Sequence, residues 1–326
     1  MKVVVTGGAG FIGANLCARL LQDGVGPVVA FDDLSTGSRD NLSYLDDVEL
    51  VEASILDEAK LKTAIDGSAC VVHLAARPSV PRSLADPVAT HEANATGTLR
   101  LLQAARAAGV GHVVVASSSS VYGANPTLPK SEDMATLPLS PYAASKLATE
   151  AYALSYAHSF GLQALAFRFF NVFGPLQPAG HAYAAVIPAF VDAALDGRAL
   201  TIHGDGLQTR DFTYVGTVAA VLSSAVRGGV SSPGPVNLAF GSRLSLLEVV
   251  SALEKILDRS LRIEHVEARP GDVRHSQADG SRLHSLFSSE LPVPFEVGLA
   301  ETVAWFEHFR RGRPGARRQE TPPTHL

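Results

Sequence analysis

Near its start the chain runs Val3-Val4-Val5-Thr6-Gly7-Gly8-Ala9-Gly10-Phe11-Ile12-Gly13, and the architecture follows from this run. A β-branched run predicts a strand over Lys2–Val5. Apolar residues at helical spacing (Ile12, Leu16, Leu20) predict a helix over Phe11–Asp23. Between them stand glycines at 7, 10 and 13. In a strand–turn–helix setting, the first permits a tight turn and the second lets backbone approach a pyrophosphate. The third lets helix and strand pack closely, and the helix N-terminus offers N–H groups to an anion.

Outward from this unit, strands are expected at Val28–Phe31, Cys70–Leu74, His112–Ala116 and Ala164–Phe169. Helices are expected near Glu58–Ile65, Thr90–Ala108 and Pro141–Phe160. Near-continuous apolar strands alternating with helices predict a parallel sheet covered on both faces, an α/β, Rossmann-like doubly wound fold. The texture changes after Asn171, beginning with the Pro- and Gly-rich Gly174–Gly180. We therefore expect a nucleotide-binding domain over 1–172 with a return at 212–240. A smaller C-terminal mixed α/β substrate lobe is expected from 173–211 and 241–310. Residues 311–326 carry four Arg and three Pro and are expected to be a disordered tail.

The 326 residues hold 27 Lys+Arg against 32 Asp+Glu, a net charge of −5 that gives no reason to expect a nucleic-acid partner. Eleven histidines lack metal-ligand spacing, so no metal site is expected. Cys17 and Cys70 lie in apolar periodic segments and read as buried reduced thiols. A strand from Lys2 leaves no leader, and no run of about 18 apolar residues spans a bilayer, so we expect a cytoplasmic protein without a membrane partner.

The second strand ends in Asp32-Asp33, nineteen residues after Gly13. An acidic residue there accepts hydrogen bonds from adenosine ribose hydroxyls and repels a 2′-phosphate, which favours NAD over NADP. Two further segments carry chemistry. Ser117-Ser118-Ser119-Ser120-Val121-Tyr122-Gly123 places hydroxyls at the carboxyl edge of the sheet, where ligands sit in open α/β folds. Ser140-Pro141-Tyr142-Ala143-Ala144-Ser145-Lys146 opens a helix, with Ser140 as N-cap and Pro141 in the first turn. Tyr142 and Lys146, four apart, share a helix face. A phenol with a pKa of about 10 is a poor base at neutral pH. An ammonium within about 4–6 Å, joined by the positive nicotinamide ring, favours the phenolate. Lowering that pKa to about 7 takes about 4 kcal/mol. The tyrosine then serves as general base for a sugar hydroxyl.

Together these stretches resemble the extended short-chain dehydrogenase/reductase family, in its nucleotide-sugar 4-epimerase branch. Further matching segments are Asp32–Gly37 (DDLSTG), His73–Ala76 (HLAA), Arg168–Pro175 (RFFNVFGP), Gly204–Val215, Asn237–Gly241 and Arg269–Asp279. The resemblance implies Ser118, Tyr142 and Lys146 as catalytic residues. It implies NAD contacts from Gly7, Gly10, Phe11, Ile12, Gly13, Asp32, Asp33, Ser35, Thr36, Gly37, Ser54, Ile55, Leu74, Ala75, Ala76, Asn94, Ser117 and Phe169, besides Tyr142 and Lys146. Ser54 stands where many relatives have Asp, which implies weaker adenine anchoring. Contacts to a UDP-sugar substrate are implied for Arg82, Ser83, Ser118, Ser119, Tyr142, Asn171, Ala185, Val186, Thr201, His203, Arg210, Arg269, Asp272 and Ser276. Arginine suits diphosphate because its guanidinium binds phosphate oxygens bidentately. A homodimer through the helices near Thr90–Ala108 and Pro141–Phe160 is likewise implied.

The implied reaction interconverts UDP-GlcNAc/UDP-GalNAc, UDP-Glc/UDP-Gal, or both pairs through a transient 4-keto sugar. Related 4,6-dehydratases usually place Asp-Glu directly after the catalytic Thr, and here those positions are Ser119 and Ser120. Uronic-acid epimerases and decarboxylases typically offer an Arg near the sugar carboxylate. The stretch His181–Pro188 has none, although His181 is available. A UDP-glucuronate 4-epimerase, a 4,6-dehydratase and a non-catalytic NAD-binding sensor are the alternatives. In the epimerase family a Tyr three residues before the Asp of the RPGD…AD segment crowds out an N-acetyl group. Ser276 occupies that position, which implies room for N-acetylhexosamines.

Overall fold

Each residue of β1 (Val3–Thr6) is buried, and its side chains alternate between two cores. Val3 and Val5 pack on one face with Leu16, Leu20, Val218 and Leu222, while Val4 packs on the other with Leu61, Leu101, Leu102 and Ala153. This is the two-sided burial that a parallel sheet requires. The architecture is that of a computed structural model, which describes residues 1–179, 184–268 and 274–311.

Seven parallel strands form the sheet: β1, β2 (Val28–Asp32), β3 (Val48–Glu52), β4 (Cys70–His73), β5 (His112–Ser118), β6 (Gln163–Phe169) and, later in the chain, Val236–Leu238. From one edge the order is β3-β2-β1-β4-β5-β6 and then Val236–Leu238. The order reverses at β1, which pairs with β2 and β4 on its two sides (Val5 opposite Ala30 and Val72). A reversal of this kind opens a crevice beyond the carboxyl ends of β1 and β4. The expected doubly wound α/β sheet is therefore the observed one.

Helices α1 (Phe11–Gln22), α2 (Glu58–Ile65), α3 (Val80–Ala85), α4 (Pro87–His91), α5 (Gly97–Ala107) and α6 (Pro141–Phe160) belong to this part of the chain. Two local differences from expectation stand out. The segment Val48–Glu52, unassigned from sequence, is the edge strand β3. The single helix expected over Thr90–Ala108 is α4 and α5 joined by a wider turn at Glu92–Thr96, whose backbone carries Asn94 inward.

Strand β7 (Asn171–Phe173) pairs in parallel with Phe212–Tyr214 outside the main sheet, and the helix Val215–Gly228 then leads back to the strand Val236–Leu238 beside β6. A separate core is formed by Ile187, Phe190, Val191, Ile202, Val249, Leu253, Leu299, Val303 and Phe306, while Leu283 and Phe287 pack in the sheet's own core. It is built from α7 (Val186–Leu195), the paired strands Leu200–His203 and Ile263–Val266, and the helices Leu246–Leu257 and Phe295–Arg311. No helix of the described residues is long and apolar enough to cross a membrane.

Candidate active site

A cleft of about 1150 Å³ runs along the carboxyl edge of the sheet. Small-molecule sites usually occupy roughly 300–1,000 Å³, so this space suits two ligands side by side. One end is built by the glycine turn. A Cβ on Gly7 (φ +71°) would stand 2.7 Å from the Ala75 nitrogen and 2.8 Å from the Leu74 carbonyl carbon. One on Gly13 would stand 2.1 Å from the Gly7 oxygen. The bare backbone thus lies directly against the Leu74–Ala75 wall. Helix α1 begins behind Gly10 with no side-chain cap, which leaves its first amides for an anion.

Asp32 closes this end. Its carboxylate accepts from Ala9 N (2.9 Å) and Leu34 N (2.8 Å), and burial raises its pKa against those bonds. Asp33 accepts from Ser35 N at 2.9 Å. These carboxylates at the end of β2, with the bare glycine turn, fit the ribose hydroxyls and pyrophosphate of NAD.

The other end holds the hydroxyls. Ser140 caps α6, its Oγ accepting from Ala143 N at 3.1 Å, and this sets Tyr142 and Lys146 in the first turns. Lys146 is 5% exposed and its Nζ donates to Ala116 O at 2.8 Å. Burial pulls its ammonium down to about 8. Ser118 Oγ accepts from the Ser120 N–H (3.1 Å) and hydroxyl (2.9 Å). Its single proton is therefore left for the Tyr142 oxygen, to which it hydrogen-bonds. Burial raises the Tyr142 phenol and the Ser118 bond opposes the rise.

Cleft-lining positions among the expected residues are Gly7, Gly10, Phe11, Ile12, Gly13, Asp32, Asp33, Ser35, Thr36, Ser54, Ile55, Leu74, Ala75, Ala76, Arg82, Ser117, Ser118, Tyr142, Lys146 and Phe169. Others lie outside its lining. Gly37 backs the glycine turn, where a Cβ would meet Ala9 O at 2.8 Å. Asn94 is buried behind the wall, accepting from Arg77 N (2.7 Å) and donating to Ser145 Oγ (2.9 Å). Ser83 donates to Val80 O, and Ser119 opens the turn after β5. Asn171 donates to Asp211 O. Ala185 and Val186 start α7, while Thr201 and His203 lie on the strand Leu200–His203. Arg210 and Ser276 are neighbours across Thr209, whose carbonyl accepts from both Arg210 Nη1 and Ser276 N. Arg269, Asp272 and His181, like residues 312–326, fall outside the described residues.

The cleft is also lined by Arg77, Pro78, Glu92 and Gln177, to which no role is assigned from the sequence, and by Ser79 and Phe170, which lie within segments that carry the resemblance but are given no contact of their own. Arg77 and Pro78 continue the HLAA segment directly, so a longer reading of that motif would have reached them.

The comparisons agree with this geometry. Residues 3–239 match the model of the NAD dependent epimerase/dehydratase family. The UDP-glucose 4-epimerase of Mycolicibacterium smegmatis is 39% identical over 319 residues, covering 94% of this chain and 99% of the relative. Among solved structures, the UDP-N-acetylglucosamine 4-epimerase of Methanobrevibacter ruminantium M1, in complex with UDP-N-acetylmuramic acid, is 37% identical with a TM-score of 0.89. That match covers 94% of this chain and 98% of the other. The UDP-glucuronic acid 4-epimerase of Bacillus cereus, in complex with UDP-glucuronic acid and NAD, is 30% identical with a TM-score of 0.87, over 95% and 100% of the two chains. The glycine turn, the acidic end of β2 and the Ser–Tyr–Lys wall thus occur in a chain that belongs to the NAD-dependent epimerase/dehydratase family.

Proposed function

We propose that the protein is an NAD-dependent UDP-sugar 4-epimerase that interconverts UDP-GlcNAc/UDP-GalNAc, UDP-Glc/UDP-Gal, or both pairs. The observation that carries this reading is one continuous cleft joining the glycine turn and Asp32-Asp33 to Ser118, Tyr142 and Lys146. When bound, NAD supplies the acceptor and later the donor of a hydride at sugar C4. Gly7, Gly10, Gly13, Asp32 and Asp33 hold it, and Leu74–Ala76 form its wall. Tyr142 takes the proton of the 4-hydroxyl and, once the 4-keto sugar has turned its opposite face to the cofactor, returns that proton to the O4 oxygen as C4 regains hydride. Ser118 donates to the phenolic oxygen and orients it. Lys146 contributes the charge that favours phenolate over phenol.

Residues 173–211 and 241–310 serve as the nucleotide-sugar lobe, with Arg210 and Arg269 on the diphosphate and Ser276 beside the sugar 2-substituent. A second substrate reading rests on Arg77 and Arg82, which line the cleft and suit a carboxylated sugar such as UDP-glucuronate. The helices near Thr90–Ala108 and Pro141–Phe160, the second of which exposes Tyr152 (38%) and Phe160 (48%), are read as the homodimer face. The free, buried Cys17 and Cys70 fit a reducing cytoplasm. Incubation with UDP-Glc, UDP-GlcNAc and UDP-GlcA, followed by separation of the epimers, tests the function. An epimer from either of the first two supports it, and turnover of UDP-GlcA alone selects the second reading.

A further inference from the structure

Behind the cleft lies an unbroken chain of buried polar side chains whose hydrogen-bond direction follows from the acceptors at its ends. Thr98 Oγ1 is 2.5 Å from the Asn94 carbonyl, which has no proton of its own, against 3.1 Å from the Thr149 hydroxyl, so the single hydroxyl proton takes the shorter contact. Thr98 can then only accept from His73 Nε2, 3.0 Å away, which places a proton on that nitrogen. The ring is neutral, since full burial and the nearby Lys146 ammonium push its pKa down to about 3. A neutral ring with a proton on Nε2 has none on Nδ1. His73 Nδ1 therefore accepts the Thr6 hydroxyl proton at 2.7 Å, and Thr6 Oγ1 accepts from Ala75 N at 3.3 Å. His73, Thr6, Thr98 and Asn94 are each at most 2% exposed.

The two ends of this chain are the two halves of the cleft. Thr6 ends β1 and leads into Gly7, and Ala75 is the wall the glycine turn touches. Asn94 accepts from Arg77 N and donates to Ser145 Oγ, and Ser145 in turn donates to Tyr142 O at 2.8 Å. Thr149 on α6 lies 3.2 Å from both the Asn94 and the Ser145 carbonyls and shares its single hydroxyl proton between them. Resting on the reading of the cleft as an NAD and nucleotide-sugar site, we propose that His73 is a positioning residue whose ring, protonated on Nε2 alone, couples the cofactor wall to the helix carrying Tyr142 and Lys146. His73 does not line the cleft, so it acts through Thr6 on one side and through Thr98 and Asn94 on the other. The wider turn at Glu92–Thr96 serves the same coupling, because it turns the Asn94 carbonyl and side chain toward these partners.

Two half-replacements separate the arms. In His73→Asn the side-chain oxygen replaces Nδ1 and still accepts from Thr6. In His73→Gln the amide nitrogen replaces Nε2 and still donates to Thr98. The Asn variant is expected to keep its affinity for added NAD⁺, measured by calorimetry, while kcat on UDP-GlcNAc or UDP-Glc falls roughly tenfold, as losing one buried hydrogen-bonded link implies. The Gln variant is expected to lose NAD⁺ affinity by a similar factor and to keep more of its kcat. Equal losses in both quantities for both variants would mean that the ring only fills space, and would overturn the proposal.

Nitrogen-15 NMR of histidine in the wild-type protein, with NAD bound and without, decides the tautomer even if the variants fail to fold. Nε2 protonated and Nδ1 bare at pH 7 and still at pH 5 is the expected result. A proton on Nδ1 contradicts the proposal. If wild-type protein binds NAD but turns over no nucleotide sugar, the proposed function fails. The tautomer and the contrast in NAD⁺ affinity between the two variants then still decide the role of His73.

Discussion

The Arg168 guanidinium and the Glu150 carboxylate meet in a two-point ion pair, Nη2 to Oε1 at 2.7 Å and Nε to Oε2 at 2.9 Å, with side chains only 3% and 5% exposed. The same carboxylate accepts the Ser117 hydroxyl at 2.9 Å, and the guanidinium lies over the Tyr122 ring at 4.7 Å. Tyr122 in turn donates to Asn237 at 2.6 Å. The pair therefore braces the carboxyl end of β5, next to Ser118, against α6 and the strand Val236–Leu238.

Removing one partner strands the other charge in a dry interior. Glu150→Gln and Arg168→Leu should each lower unfolding free energy by about 3–5 kcal/mol in chemical denaturation. Joint replacement by apolar residues should cost clearly less than the two losses summed. Additive losses would show that the groups do not act as a pair.

Lys146 carries a stability cost that serves the chemistry. Its folded pKa of about 8 lies below its ordinary 10.5, so native burial opposes the charge. Between those two pH values the unfolded chain binds a proton that the native chain has lost, and the Lys146 contribution to stability rises with pH. Below about 8 the full penalty of about 3 kcal/mol applies, offset by about 1 kcal/mol from the bond to Ala116 O. Lys146→Met should therefore be more stable than the parent at pH 7 by about 2 kcal/mol and catalytically crippled. Its advantage should shrink by pH 10. An advantage that does not change with pH would place the lysine in a far wetter site.

Tyr142→Phe should retain its fold and its NAD and lose at least about 100-fold in turnover, the lower range for a general base. Spectrophotometric titration of the cofactor-free parent should show no tyrosinate from Tyr142 below pH 10, because burial raises that phenol. Binding of NAD⁺ should move its titration downward, and the shift should be missing in the Phe variant. Near-normal turnover of that variant would remove Tyr142 from the mechanism.

Much of this site was legible in the sequence because its parts are local. The glycine turn and the Tyr142/Lys146 helix face each follow from spacing within one strand–helix or cap–helix unit, and the serine strand end from its own short run. Strand β3 escaped because Val48–Glu52 is a half-exposed edge strand with Glu49 and Glu52 in it, so it lacks the apolar run of a central strand. The wider turn at Glu92–Thr96 escaped because one extra residue per turn barely disturbs helical spacing. The pairing of Arg168 with Glu150, and of Thr6 with Thr98 through His73, joins residues 18 and 92 positions apart, and no local pattern reports such contacts.

Ser276 bears on substrate breadth. Its backbone is fixed by the bond from its N–H to Thr209 O at 3.0 Å, beside Arg210. Ser276→Tyr should lower kcat/KM for UDP-GlcNAc far more than for UDP-Glc, since added bulk penalises the larger ligand. Equal losses on the two sugars would remove Ser276 from the specificity determinants.

In the proposed reaction hydride leaves sugar C4 for the enzyme-bound cofactor and returns from it to the same carbon. UDP-GlcNAc and UDP-Glc deuterated at C4 should be incubated with the protein and the epimers analysed by mass spectrometry and NMR. The expected product is a C4 epimer that keeps its deuterium at C4, with no exchange into water or added NADH. No epimer from either sugar, or label lost to solvent, would rule this reaction out.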